Sequence, residues 1–579
     1  MRRTPALPSI VLAVALVSGC EESSSRTAAG SVLEQTAWRL RTDVTAALDA
    51  DTGWGAALNE AATVAADQPF RLRVEVAGAA GADRGFTLES RRNDGEWTAV
   101  LARDFPYPDE ISTPRVSVVE IDAYPPGAAT TDLLDGSDGA FTGGAGVVLD
   151  SATVAWPGQG QSEWEWPLVI RRWADGAVTN EPGDRFDFRM VDSEGRPLGG
   201  RVATVHLEVP AGHLGGTYAE TPGRLGPWSA DDGTLYFPME PAETWNALMM
   251  MVSRDGGAEW VEADAAGRPA TVDLEGFATA LHAGRVHMLH QTDSVFYHAF
   301  ATTDDPAAPE GWAATDELVS VPSDPPSQTA AVEARGDGSV VAIYGDSLGL
   351  RLRIRSADGA WGDERILADD DGALLTGVQS ARTDDDRVHI AYAALTGDER
   401  TIRHRTLHPD GALSAATTLA DGIGTAVEED AGALAPLVYL PGLDQVVVIY
   451  RDATGRPWER RVAADGSGPV SEPLRIADRA VVQNAVDADQ AGFDAVGADD
   501  TAHLFFIDEE SREVAHVARE GSGPWTAPRT VIEGADVQWI RGVVGTGADG
   551  EPVYSVVIDA GSDGGSGMNR YLELLLSGG

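Results

Sequence analysis

The chain has 579 residues, several times the usual domain size of roughly 100–200, so two or more cores are expected. Hydrophobic residues at 43 % and charged residues at 23 % are globular proportions, which argue against wholesale disorder and against a multi-span membrane protein. All 43 basic residues are arginine and stand against 91 acidic ones, and the formal net charge of −48 repels phosphate backbones and anionic lipid, so nucleic acid is not an expected partner.

Residues 1–20 read MRRTPALPSIVLAVALVSGC: Arg2 and Arg3 form a basic start, Ile10 to Val17 a short apolar run, and Val17-Ser18-Gly19-Cys20 closes it. The apolar run is far short of the roughly 20 residues that cross a bilayer, so it predicts a secretory signal. Cys20 is the single cysteine, and the stretch resembles the lipobox of bacterial lipoproteins. That resemblance implies cleavage before Cys20, acylation of its sulfur and amino group, and an anchor in the cell envelope, at the periplasmic face or the cell surface. With Cys20 acylated no thiol remains for a disulfide, so core burial alone must hold the exported fold together. Glu21-Glu22-Ser23-Ser24-Ser25 and the dozen residues after them predict a polar tether.

From Ala37 to about Glu208, period-two alternation broken by Gly, Asp and Pro predicts strands with one wet face, as in Phe70-Arg71-Leu72-Arg73-Val74-Glu75-Val76 and Phe186-Asp187-Phe188-Arg189-Met190. Asn93-Asp94-Gly95 is a hairpin signal, because both central positions tolerate positive φ. An antiparallel β-sandwich, immunoglobulin-like in outline, is expected, with Trp38, Trp97, Trp156, Trp164, Trp166 and Trp173 serving its core and sheet faces.

From Tyr218 onward one unit recurs. A tight acidic or glycine turn precedes an apolar strand whose third and sixth residues align: Asp232-Gly233 with Tyr236 and Met239, Ala283-Gly284 with His287 and His290, Asp337-Gly338 with Val341 and Tyr344, Asp385-Asp386 with His389 and Tyr392, Leu443-Asp444 with Val447 and Tyr450, Asp499-Asp500 with His503 and Phe506, and Asp549-Gly550 with Val553 and Val556. Seven copies, about 48–58 residues apart and flanked by further strands, predict an all-β protein ending in a β-propeller of seven blades, with six as the alternative. The last unit is a strand short, and Val202–Val209 is the expected donor of a closing strand. The expected division is a signal peptide over 1–19, lipidated Cys20 and tether over 20–35, a sandwich over 36–209 and a propeller over 210–579.

Ser253-Arg254-Asp255-Gly256-Gly257-Ala258-Glu259-Trp260 resembles the Asp-box, Ser-x-Asp-x-Gly-x-Thr-Trp, of sialidases and related propellers, departing from it at Glu259. The resemblance implies a structural hairpin between third and fourth blade strands, in which Ser253, Asp255, Gly257 and Trp260 shape the turn. Ser356-Ala357-Asp358-Gly359-Ala360-Trp361 is a degenerate copy. A sialidase-type propeller would also carry three arginines for a carboxylate, a tyrosine–glutamate nucleophile and an aspartate acid/base. Gly223-Arg224-Leu225-Gly226-Pro227 is similar to that family's Phe-Arg-Ile-Pro, which makes Arg224 a candidate ligand or catalytic residue; Glu275 is the second candidate, and Gln328, Gln379 and Arg541 hold comparable inner-strand places.

His287, His389 and His503 share one repeat position and His298, His404 and His516 another; because they lie in different blades, structural roles are expected and no metal centre. Asp487 to Asp494 begins like a calcium loop but has Ala498 where the bidentate glutamate belongs. Acidic turns such as Asp369-Asp370-Asp371 leave structural calcium open, and no other cofactor is implied. The expected function is recognition of a glycan or envelope protein at the propeller mouth. The alternatives are a sialidase-like exo-glycoside hydrolase and a non-catalytic assembly lipoprotein.

Overall fold

The computed structural model describes residues 33–576 except 80–81, 103–114, 120, 122–126, 147–151, 157–158, 175–177, 216–222, 240–248, 263–275, 292–293, 303–311, 322–328, 347–348, 369–375, 397–398, 424–433, 483–491, 534–536, 548 and 561–568. Among these residues there is no α-helix, and no helix long and apolar enough to cross a membrane.

The first body is a connected sheet of eleven strands, in chain order from Glu34–Arg41 to Ala203–Glu208, ten of them in one path and Ala152–Trp156 beside Ala82–Arg92, and it closes over one core. The alternation decides which side chains meet: Trp38, Leu40, Leu72, Val74, Trp164, Trp166, Phe186, Phe188 and Val205 all point into that core. Asn93 and Asp94 take φ of 46° and 63° between strands Ala82–Arg92 and Thr98–Ala102, the hairpin that their sequence predicts. The opposite face of strands Phe70–Ala79 and Gln159–Ile170 is not wet. Arg71, Arg73, Glu75, Glu163 and Glu165 are fully buried there under loops around residues 42–55 and 127–146. Arg73 Nη1 donates to Glu165 Oε2 at 2.7 Å and to Leu48 O at 2.7 Å, and Leu133 N and Leu134 N donate to Glu163 Oε1 at 2.8 and 2.6 Å. Burial pushes the Glu163 carboxyl up against the pull of Arg73. Charges out of water are tolerable only because each has such partners.

The second body is a ring of seven antiparallel sheets, each beginning at an inner strand: Trp228–Ser229, Phe277–His282, Ala330–Ala334, Thr376–Arg382, Leu437–Leu440, Phe493–Ala498 and Val537–Thr546 for blades 1 to 7. The seven aligned apolar strands are the second strands, Leu235–Met239 through Pro552–Ala560. They read as nearly continuous apolar runs because neighbouring blades cover both their faces, as where Val340, Ala342 and Tyr344 pack toward blade 2 and Val341 and Ile343 toward blade 4. Each inner hairpin turn contains a residue of positive φ: Gly233, Ala283 with Gly284, Gly338, Asp386, Asp444, Asp499 and Gly550. That requirement explains why Gly and Asp recur at the repeat's turn.

Six sheets have four strands and the seventh has three. Closure differs from the expectation, because Ala203–Glu208 is committed to the first body, paired with Arg185–Asp192 and Ala62–Ala65. Instead Gly212 to Leu214 lies antiparallel beside Asn569–Leu575, with Tyr571 N donating to Gly212 O and Leu214 N to Asn569 O, both at 2.8 Å. The ring is therefore latched at the outer rim of blade 7 by the chain just leaving the first body.

The two bodies meet through buried polar groups. His213 Nε2 lies 2.8 Å from Asp67 Oδ2, Arg172 N donates to Asp67 Oδ1 at 3.1 Å, and Arg172 Nη2 donates to Trp260 O at 2.9 Å.

Candidate functional site

Inner strands of a propeller converge on the axis, so their side chains share one small space. A cavity of about 160 Å³ lies there, lined by Arg224 and Trp228 of blade 1, Thr279 of blade 2, Glu333 of blade 3, Gln379 and Ser380 of blade 4, Arg541 of blade 7, and small apolar residues between them. Arg224 is placed just before inner strand Trp228–Ser229, and Thr279 N, on blade 2, donates to its carbonyl at 2.7 Å. Gly223 is required beside it, since a Cβ there would lie 2.1 Å from Phe277 O.

Below the cavity sits Asp494, on the inner strand of blade 6 and fully buried. Its Oδ1 accepts from Arg224 Nη2 at 3.1 Å, Arg541 Nη1 at 3.0 Å and Ala495 N at 2.9 Å; its Oδ2 accepts from Gly542 N at 2.9 Å and Tyr554 OH at 3.0 Å. Burial opposes its charge, but Arg224, Arg541 and these donors outweigh burial and hold the carboxyl below its ordinary range. Burial lowers Arg541 to about 10, and burial together with the Asp494 charge keeps the Tyr554 hydroxyl protonated. Arg541 Nη2 also donates to Gln379 Oε1 at 2.5 Å.

Glu333 has the opposite balance. Ser380 Oγ donates to its Oε1 at 2.8 Å, and Arg224 and Arg382 pull its charge on, yet burial prevails and pushes the carboxyl up. Two acidic groups around one channel are thus held in different protonation ranges, a pattern that acid/base chemistry and hydrogen-bonding sites both use.

Three positions singled out in the sequence, Arg224, Gln379 and Arg541, meet here. Glu275 and Gln328 lie outside the described residues. Asp494, Glu333, Ser380, Trp228 and Tyr554 were missed. The available signal was Glu333 and Asp494 themselves, single carboxylates in otherwise apolar inner strands, Ala330–Ala334 and Phe493–Ala498.

The turn Ser253 to Trp260 joins the third and fourth strands of blade 1, remote from this cavity. Ser253 Oγ donates to Asp255 Oδ1 at 2.9 Å, which also accepts from Ala258 N and Glu259 N at 3.1 and 3.0 Å; Gly257 N donates to Ser253 Oγ at 2.8 Å. Trp260 is buried beneath and donates to Gly257 O at 3.0 Å. The repeated histidines pair within their own blades: His389 Nδ1 with His404 Nε2 at 3.0 Å, His503 Nδ1 with His516 Nε2 at 3.1 Å, and His298 Nε2 with His290 Nδ1 at 2.8 Å, while His287 meets Tyr297 OH at 2.7 Å. Among the described residues one trio of carboxylates, Glu75, Asp132 and Glu163, brings its oxygens within 4.8 Å. Thr36 and Gly136 N donate to Glu75, Gln161 to Asp132, and Arg73 with Leu133 N and Leu134 N to Glu163, so these oxygens already serve the fold of the first body.

No known protein-family profile matches the chain, and no curated protein matches it. Solved structures with a similar fold include AofleA from Arthrobotrys oligospora (10 % identity, 56 % of this chain and 87 % of that one, TM-score 0.35) and the intramolecular trans-sialidase from Ruminococcus gnavus in complex with oseltamivir carboxylate (10 % identity, 61 % and 94 %, TM-score 0.32). NanB, in a structure with Optactamide, overlaps at 9 % identity over 94 % of this chain and 93 % of that one, with a TM-score of 0.35. The blade count rests on the strand order above and not on these overlaps.

Proposed function

We propose that this is a lipid-anchored bacterial envelope protein whose propeller binds a glycan in the axial cavity. The observation that carries the reading is the lining of that cavity: a half-buried indole, Trp228, beside Glu333, Ser380 and Arg224, across the inner strands of blades 1, 3 and 4. Sugars present alternating C–H faces and hydroxyls, and an aromatic wall with a few convergent polar groups matches both. Binding of the chain from Glu21 onward to an array of bacterial and host glycans tests it. Binding that falls at least tenfold in Trp228→Ala supports the reading, and binding indifferent to that change overturns it.

Anchoring rests on the Val17-Ser18-Gly19-Cys20 pattern alone. Its test is the mass of the mature amino terminus, which Cys20→Ser must return to an unacylated form.

A second reading, a sialidase-like exo-glycoside hydrolase, is favoured by the raised Glu333 carboxyl, which would act as the general acid. Turnover of a fluorogenic sialoside that disappears in Glu333→Gln would establish it. The Ser253 to Trp260 turn, which we take as an Asp-box, contributes structure to either reading.

A further inference from the structure

We infer that Asp494 fills the arginine cradle of the propeller as a built-in carboxylate, so that the cavity above it takes an uncharged, hydroxyl-rich sugar in preference to an acidic one. This rests on the glycan-binding reading and names its ligand class.

Two arginines converging on an axis form the arrangement by which a protein would grip a ligand carboxylate. Here the anion is supplied by the chain. Asp494 receives five donors, two of them from Arg224 and Arg541, and the second nitrogen of Arg541 is turned to Gln379 Oε1. Arg224 Nη2 is further shared with Ala495 O. An acidic ligand would have to compete with a fully buried carboxylate already in place, and it would enter beside Glu333. The surrounding field adds to the barrier, since the chain carries −48 and repels anions at long range. What else lines the cavity is different: the indole face of Trp228, whose N–H donates to Thr279 Oγ1 at 2.7 Å, the Ser380–Glu333 hydroxyl–carboxyl pair, and alanine and valine walls at Ala278, Ala331 and Val378. Its volume, about 160 Å³, is below the roughly 300–1,000 Å³ of sites for drug-sized ligands, which suits one terminal sugar ring.

The test uses the chain from Glu21 and matched oligosaccharides that end in a neutral hexose, in the same hexose oxidised to its uronate, or in sialic acid. Trp228-dependent binding to the neutral member, at least tenfold tighter than to the two acidic ones, is the expected result. Trp228-dependent binding confined to the acidic members overturns the inference and leaves the glycan reading standing. No Trp228-dependent binding to any member removes both. A second arm reads the cradle directly: in Asp494→Ala, acetate at 100 mM should raise the melting temperature by several degrees over equal chloride, and leave the unsubstituted chain unmoved. Equal responses overturn the internal-carboxylate role. If Asp494→Ala is recovered unfolded, its refolding yield with and without acetate gives the same comparison: a yield raised by acetate over chloride supports the role, and equal yields overturn it.

Discussion

Arg541, on the inner strand of blade 7, donates through Nη1 to Asp494 Oδ1 of blade 6 at 3.0 Å, with both side chains out of contact with water. The pair stitches two blades together at the axis, and Arg224 of blade 1 joins the same oxygen, so one carboxylate ties the beginning of the ring to its end. Any single donor to it is expected to matter more than a surface hydrogen bond, because a buried charge left short of partners has no water to turn to.

Tyr554→Phe removes one of the donors to Asp494 Oδ2 and leaves the ring stacked on Phe505, 4.0 Å between centroids. Loss of a hydrogen bond to a charged group predicts destabilisation of about 1.5–3 kcal/mol. The midpoint of urea unfolding followed by tryptophan fluorescence checks it; an unchanged midpoint would show that Asp494 is satisfied without the hydroxyl.

The paired histidines predict acid sensitivity. Burial, with the facing histidine in His404 and His516, lowers His404 and His516 to about 3 and His287 and His503 to about 4. Unfolded, each titrates near 6.5, so the unfolded chain takes up protons first as pH falls. The stability these histidines contribute is therefore full above about pH 6.5 and declines steadily from there toward pH 4. Melting temperatures across this window should fall with decreasing pH, and His404→Asn should flatten the slope.

Glu333 predicts a trade of stability for function. Its folded pKa is raised by burial, so the folded state holds its proton longer than the unfolded one, and the favourable contribution present at low pH is lost as pH rises through the folded value. At pH 7 the Glu333 side chain is therefore a burden on the fold relative to pH 4. Glu333→Gln should raise the melting temperature at pH 7, show little effect at pH 4, and weaken ligand binding; a lower melting temperature at pH 7 would mean that the charge is stabilised by its neighbours.

Arg172 predicts coupling of the two bodies. Its guanidinium donates to Asn180 O within the first body and to Trp260 O of blade 1. Arg172→Met keeps the stem's bulk and removes both bonds, so calorimetry should show one transition in the unsubstituted chain resolving into two, with the lower one shifted down by several degrees. A single transition in the variant would mean that the Asp67–His213 contact suffices for coupling.

Much of the fold was legible because it follows from local rules repeated many times. The turn positions from Gly233 to Gly550 need positive φ, only a few residue types accept it, and the pattern appears seven times with an apolar strand after each. Val202–Val209 is the closing strand expected from sequence because the last unit is a strand short and this segment lies just ahead of the first unit. Pairing with Arg185–Asp192 decided otherwise, and the three residues that do close the ring are too few to carry a pattern. The wet face expected of Arg71, Arg73 and Glu75 was misjudged for a related reason: alternation shows that two faces differ, while only the loops that fold over them decide whether the polar one meets water.

The candidate site divides the same way. Arg224, Gln379 and Arg541 could be placed on or just before inner strands from the repeat, and each inner strand leads to the axis. That Asp494 would stand between two of them, and that Glu333 and Trp228 would face the same cavity, depends on the rotation of one blade against the next. Sequence by itself determined the repeated strands and their turns, because hydrogen bonding and φ preferences act over a few residues, while the strand pairing of the folded chain decided for seven blades over six. Tertiary structure alone decided which charges meet, because residues 224, 333, 494 and 541 are brought together only when the ring closes, and electrostatic energy depends on distance in space and on exclusion of water.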